Sequence, residues 1–167
     1  MIIKFSNYDD GVYDIPFSMP AEKARLGELF CNELKLDVRM DKSHSQIVLS
    51  CTLVIDAKFN CDRCGDEFIA TLTNQFRITY LFGRSKMESE DIDLYYLSFE
   101  EDKIDLTQDV IDYAKLSVPM KKLCSEECKG LCPGCGVNLN KESCSCINDE
   151  SNPVWSELLK LKDIKNN

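Results

Sequence analysis

The chain has 167 residues, 44% of them hydrophobic, and a formal net charge of −9. That length buries one good core, or a main domain with a small satellite, and excludes two large domains; the negative balance argues against broad affinity for phosphate backbones, which depends on dense Lys and Arg. No apolar run approaches a bilayer span, and MIIKFSNYDD has acidic residues where a signal peptide needs an apolar stretch, so a cytoplasmic protein without a membrane partner is expected.

After an N-terminal stretch of short apolar alternation, ELKLDVRM places Leu34, Leu36, Val38 and Met40 on one side of an extended strand and charged residues on the other. DKSHS supplies a polar turn. IVLSCTLVIDAKF then continues the alternation through Ile47, Leu49, Cys51, Leu53, Ile55, Ala57 and Phe59. NCDRCGDE turns the chain again, and Phe68, Ala70, Leu72, Phe76, Ile78 and Tyr80 mark a third strand with Asn74 as its imperfection. The three read as an antiparallel meander, with Cys61 and Cys64 at a hairpin tip.

DLYYLSF and KIDL read as shorter strands. A helix follows, with Thr107 as its cap and Val110, Ile111, Ala114 and Leu116 inward, and Pro119 prevents its continuation. The segment from Cys124 to Cys146 has little apolar content and needs another source of order. In the tail, Asn152 caps a helix with Pro153 at its first position, and Trp155, Leu158 and Leu159 are available for docking. The expected fold class is α+β: an antiparallel strand meander with a few helices and a C-terminal cysteine-rich zinc-binding segment. The expected organisation is a main domain over 1–123, a zinc-binding segment over 124–150 packed on it, and a helical tail over 151–167.

The acidity is local. Residues 88–112 hold ten carboxylates and one lysine, while the other residues hold nineteen charges of each sign.

Eight of the ten cysteines lie in four close pairs: Cys61 and Cys64, Cys124 and Cys128, Cys132 and Cys135, Cys144 and Cys146. In a reducing cytosol such spacing points to metal before disulfides. CPGCG is a zinc-knuckle signal, because its two thiolates reach one ion and Gly136 permits the turn that aims amides at sulfur; CDRCG has the same form. Two closed four-thiolate zinc sites per chain are expected. Loop closure favours Cys132, Cys135, Cys144 and Cys146 in one site, since they lie within fifteen consecutive residues. The other then joins Cys61 and Cys64 to Cys124 and Cys128, a pair that one helical turn would align. A ribbon combining Cys61, Cys64, Cys132 and Cys135 is the rival. Ligation contributes on the order of ~10–16 kcal/mol in small zinc domains, comparable with whole-domain stability, so folding here should depend on metal.

Other chemistries fare less well. A thiol-disulfide redox protein using the CxxC pairs would need a thiolate at a helix N-terminus, whereas Cys61 follows a strand. Catalytic zinc would need an open position and a general acid or base, and His44, the sole histidine, lies in a polar turn. Cys31 and Cys51 lack close partners and read as core or near-core residues. Neither a phosphate loop nor a nucleophile turn is present, so no small-molecule substrate and no enzyme activity are expected.

CDRC after a long strand, IDLTQDVIDYAKLSVPMKKLC, and then CKGLCPGCGVNLNKESCSC with a short helical tail resemble the YceD family of large ribosomal RNA subunit accumulation proteins. The likeness is strongest from Asp105 to Cys146, in Leu131-Cys132-Pro133, Cys135-Gly136 and Asn138-Leu139-Asn140. It implies a non-enzymatic factor in large-subunit ribosomal RNA accumulation and ribosome assembly. Its partner would be a basic ribosomal protein docked on the acidic segment, or rRNA in a pre-ribosomal particle held by Arg63, Lys121, Lys122, Lys129 and Lys141. The net charge favours the protein. Against both stands the ordinary reading of such charges as solvated surface.

Overall fold

The computed structural model describes residues 1–83 and 94–146. Its elements run β1 (Ile2–Ile3), β2 (Gly11–Pro20), β3 (Phe30–Lys42), β4 (Gln46–Asn60), β5 (Glu67–Phe82), β6 (Leu94–Leu97), β7 (Ile104–Asp105) and α1 (Thr107–Leu116), with 3-10 turns at Phe5–Asn7 and Ala21–Ala24. One sheet has the order β2-β3-β4-β5-β6, and β1 pairs with β7 in a second. The fold is α+β, as the alternation implies.

The long strands form where alternation is strictest. Leu36 lies opposite Leu53, Val38 opposite Cys51 and Met40 opposite Leu49, while Cys51 in turn faces Phe76. All sit on one face and are almost wholly buried, as are Ile47, Ile55, Ala57 and Phe59 further along β4. Each fully buried aliphatic side chain stabilises by roughly 1.5–3 kcal/mol, so this face dominates the energetics of the sheet. Phe68 and Ala70 are only half-buried because β5 is leaving the core there to reach the hairpin tip.

Two strands of the sheet lie outside the expected meander. β2 pairs antiparallel with β3 along its full length, from Gly11 opposite Lys42 to Pro20 opposite Glu33. It is an edge strand, which tolerates the missing N–H of Pro16, and its inward residues Tyr13, Ile15, Phe17 and Met19 are only half-buried. β6 closes the opposite side parallel to β5.

Helix α1 covers the core face with Val110 and Ala114, both fully buried. Tyr113 stacks on Phe76 with ring centroids 4.0 Å apart. The amide of Asn74 donates to the Tyr113 carbonyl at 2.9 Å, so the polar interruption in β5 docks the helix. Two helical expectations change. Thr107 is the first helical residue rather than the cap, and the Asp105 carboxylate accepts from its amide at 2.9 Å, from its hydroxyl at 2.5 Å and from the amino group of Met1 at 3.3 Å. Leu116 is 74% exposed, because two residues beyond Ala114 and six beyond Val110 it lies on the helix face turned away from the sheet. The expected tail helix at Asn152–Lys162 and the acidic residues Glu88–Asp93 lie outside the described residues.

Candidate metal centre

The hairpin β4–β5 ends in Cys61–Asp66, and a second turn of the same construction occurs at Cys132–Val137. In the first, the Gly65 amide donates to the Cys61 carbonyl at 2.8 Å and the Cys61 amide to Asp66 at 2.9 Å. In the second, Gly136 donates to Cys132 at 2.8 Å and Cys132 to Val137 at 2.8 Å. Gly65 and Gly136 have φ of +74° and +75°, the left-handed region that only glycine enters freely. Gly134 is small for another reason: a Cβ there would lie 3.4 Å from the Cys146 sulfur.

Each turn gathers two further thiols. Cys61, Cys64, Cys124 and Cys128 form one group and Cys132, Cys135, Cys144 and Cys146 the other, with the sulfurs of each group within 4.8 Å of one another. This is the partition that loop closure favours; the ribbon pairing of Cys61 and Cys64 with Cys132 and Cys135 does not occur. Cys124 and Cys128 meet through an irregular turn, not a helical one, closed by the Cys128 amide on the Ser125 carbonyl at 3.2 Å.

The donor sets fit a tetrahedral thiophilic ion. Four sulfurs at 2.3 Å from zinc would be separated by about 3.8 Å. Cys61 to Cys128 and Cys64 to Cys124 are both 3.8 Å, while Cys135 to Cys144 and Cys144 to Cys132 are slightly closer at 3.3 and 3.4 Å. Both groups can therefore hold metal ions. The first is the deeper: Cys61, Cys64 and Cys128 are buried with Phe68 and Leu123 against them, whereas Cys135 and Cys146 are exposed.

The thiols of each group are electrostatically unequal. The backbone amide of Cys124, with those of Cys64 and Arg63, draws Cys61 down to about 6 against the effect of desolvation. The amides of Cys135 and Gly134 do the same for Cys132, also to about 6. Cys64 is helped by the Asp66 amide, but desolvation and the neighbouring sulfurs outweigh it and push the thiol up to about 12. Cys146 rises to about 12 beside the sulfurs of Cys144 and Cys135. Each turn thus prepares one thiolate, while the raised thiols Cys64 and Cys146 ionise readily only when a cation neutralises the crowded sulfurs.

Side chains that the cysteine spacing does not reveal lock the region together. Asp62 and Lys122 exchange two bonds, from the Lys122 amide to the carboxylate at 2.7 Å and from the Asp62 amide to the Lys122 carbonyl at 2.8 Å. Arg63 donates to the carbonyls of Cys128 at 2.7 Å and Glu126 at 3.1 Å. Asp66 receives Asn138 and Lys141, each at 2.9 Å. The side chain of Asn140 donates to the Cys128 sulfur at 3.3 Å and accepts from the Lys129 amide at 2.8 Å. Asp62 within CDRC and Asp66 just after it were the available sequence signal, being short acceptors at a tight turn.

The family model described as "Large ribosomal RNA subunit accumulation protein YceD" matches residues 49–162, a span that includes both cysteine groups. The chain belongs to the YceD family. One YceD relative is the large ribosomal RNA subunit accumulation protein YCED homolog 1, chloroplastic, of Arabidopsis thaliana, 26% identical over 129 residues that cover 62% of this chain and 40% of that protein. Uncharacterized proteins of Mycobacterium tuberculosis and Mycobacterium leprae are 27% and 26% identical, covering 77% and 75% of this chain and 61% and 57% of theirs. The chain therefore spans less than two thirds of the length of these curated relatives. No solved structure matches it significantly. Among the described residues no helix is long and apolar enough to cross a membrane.

Proposed function

We propose that the protein is a non-enzymatic cytoplasmic factor in large-subunit ribosomal RNA accumulation, a binding module whose presenting surface is held in shape by two zinc ions, one per cysteine group. Family membership supports the process, and the closed four-sulfur geometry supports a structural role for the metal, since four thiolates leave no position for a substrate. Cys61 is only 3% exposed, so its lowered thiol is not presented to a disulfide partner; this speaks for metal over redox exchange.

The direct partner is a basic ribosomal protein. The observation that carries this is the fate of the charges. Of the cations around the turns, Arg63 is turned onto two carbonyls, Lys141 onto Asp66, and Lys122 over the Phe59 ring at 5.6 Å. The acidic turn Glu100–Asp102 stands exposed between β6 and β7; Glu101 accepts from the Ser98 amide at 2.7 Å and Asp102 lies 3.6 Å from Lys4, yet all three carboxylates face solvent. Affinity capture of ribosomal components at several salt concentrations, with and without RNase, tests the reading. Glu100→Gln, Glu101→Gln and Asp102→Asn together should slow capture of an RNase-resistant partner without unfolding the domain, the effect shrinking as salt screens beyond about 8 Å. Binding of naked large-subunit RNA that survives these changes but is lost on neutralising Lys121 and Lys129 would overturn the protein partner.

A further inference from the structure

We infer that the two cysteine groups are one cooperative metal-binding unit: occupancy of either strengthens the other, and the Cys132 group is its exchangeable member. The inference rests on the reading that both groups hold zinc, and concerns how this chain's own residues couple them.

The coupling is structural and runs both ways. Among the described residues after Gly130, only Cys132 is a buried hydrophobic, so no apolar core positions the loop that carries Asn138, Asn140 and Lys141. Backbone bonds shape it, among them Leu139 to Gly130 at 2.9 Å and the Leu131–Asn138 bridge, and closure of the Cys132 group fixes its two ends. That loop then supplies support to the other group: Asn140 bonds the Cys128 sulfur, and Asn138 and Lys141 hold Asp66 beside Cys64. In the opposite direction, the Leu131 amide donates to the Arg63 carbonyl at 3.1 Å, and Gly130, at φ +77°, lies so close that a Cβ would approach the same oxygen to 3.1 Å. The segment entering the second turn is laid on the backbone of the first. Arg63 completes the circuit by holding the Cys128 carbonyl. A bond that orders the ligands of one group only when the other is closed is a coupling free energy, and such coupling is reciprocal.

Exposure sets the order of exchange. Three sulfurs of the Cys61 group are buried, whereas Cys135 and Cys146 face solvent, so a competing chelator reaches the Cys132 group first.

The test is zinc transfer from the whole 167-residue chain to a chromogenic chelator, together with Co2+ titration followed by thiolate-to-cobalt absorption. The wild type should release two equivalents in two phases. Asn140→Ala and Asn138→Ala remove no ligand, yet together they should speed the slow phase and weaken Co2+ binding at the Cys61 group by about tenfold, the lower end of what lost outer-shell bonds cost a metal site. Cys132→Ser with Cys135→Ser should weaken the remaining site similarly; if that variant does not fold, the asparagine pair decides. Slow release and Co2+ affinity at the Cys61 group that stay within about twofold in these variants would overturn the inference alone. A protein that neither carries metal nor takes up Co2+ would overturn the zinc reading, and the inference with it.

Discussion

Gly130 and Gly136 show how much one hydrogen atom in place of a methyl can matter. Both have left-handed backbones, at φ +77° and +75°, but a Cβ on Gly136 would meet open space and one on Gly130 the Arg63 carbonyl. Gly136→Ala should cost about 1–2 kcal/mol of stability from backbone strain alone. Gly130→Ala should cost a further ~1–3 kcal/mol, because the neighbour is backbone and yields only by moving the first turn. Urea midpoints of the two zinc-loaded variants check this, and equal losses would show that the contact relaxes freely. Asp56 is a second case. Asn32 at 2.9 Å and Thr71 at 2.7 Å donate to its carboxylate and hold it below the usual carboxylate range. A value depressed in the folded state means stability present at neutral pH and lost as pH falls below about 4, where the unfolded chain takes up the proton first. Asp56→Asn should therefore lose less stability than wild type between about pH 5 and pH 3. Acid also protonates the zinc thiolates, but in both proteins alike, so the difference between the two curves reports Asp56; parallel curves would refute its contribution. The sequence shows neither effect, since a glycine's neighbour and a carboxylate's donors are set by register and by contacts across more than a dozen residues.

Elements were legible where one face is buried along their whole length. In β3, β4 and β5 a slip of one residue would turn the apolar set outward, so alternation specifies both strand and face. β2 escaped because an edge strand buries its inward side chains only partly and its prolines read as breaks. β6 was legible as a short strand in DLYYLSF, but its parallel pairing with β5 was not, because that is a long-range choice that four residues do not encode. In α1 the spacing of Val110 and Ala114 identifies the buried face correctly, while Leu116, two residues beyond Ala114, falls on the opposite face, so its inward placement fails on the helical period itself. Ala114→Leu should cost about 1–3 kcal/mol by overpacking the contact with the sheet, whereas Leu116→Gln should change stability by no more than about 0.5 kcal/mol. Thermal or urea unfolding separates the two, and a large loss from Leu116→Gln would mean that the end of α1 is covered in solution.

At the scale of the whole molecule, two sources of order meet at the hairpin tip. The sheet and α1 share one apolar core, and the thiols Cys61, Cys64 and Cys128 form a separate small cluster that touches it through Phe68. The cysteine ligands were legible because metal chemistry fixes their spacing locally. What joins their turns was not, because Asp66 and Asn138 are 72 residues apart and meet only when β4 and β5 have formed. Two zinc ions held by eight thiolates would also add four negative charges to a chain already at −9, so removing metal changes the surface as well as the fold. The proposed division of the chain into a main domain ending at residue 123 and a metal-dependent segment after it predicts a graded response to chelation. Strand circular dichroism should persist, because the sheet's core contains none of the eight ligands. Trypsin should then cut after Lys121, Lys122, Lys129 and Lys141, where the metal-closed turns no longer order the backbone, and spare Lys35, Arg39 and Arg77 inside the strands. Should the strand sites be cut as fast as the lysines beyond residue 120, the sheet would depend on the metal for its own stability, and the boundary would fall.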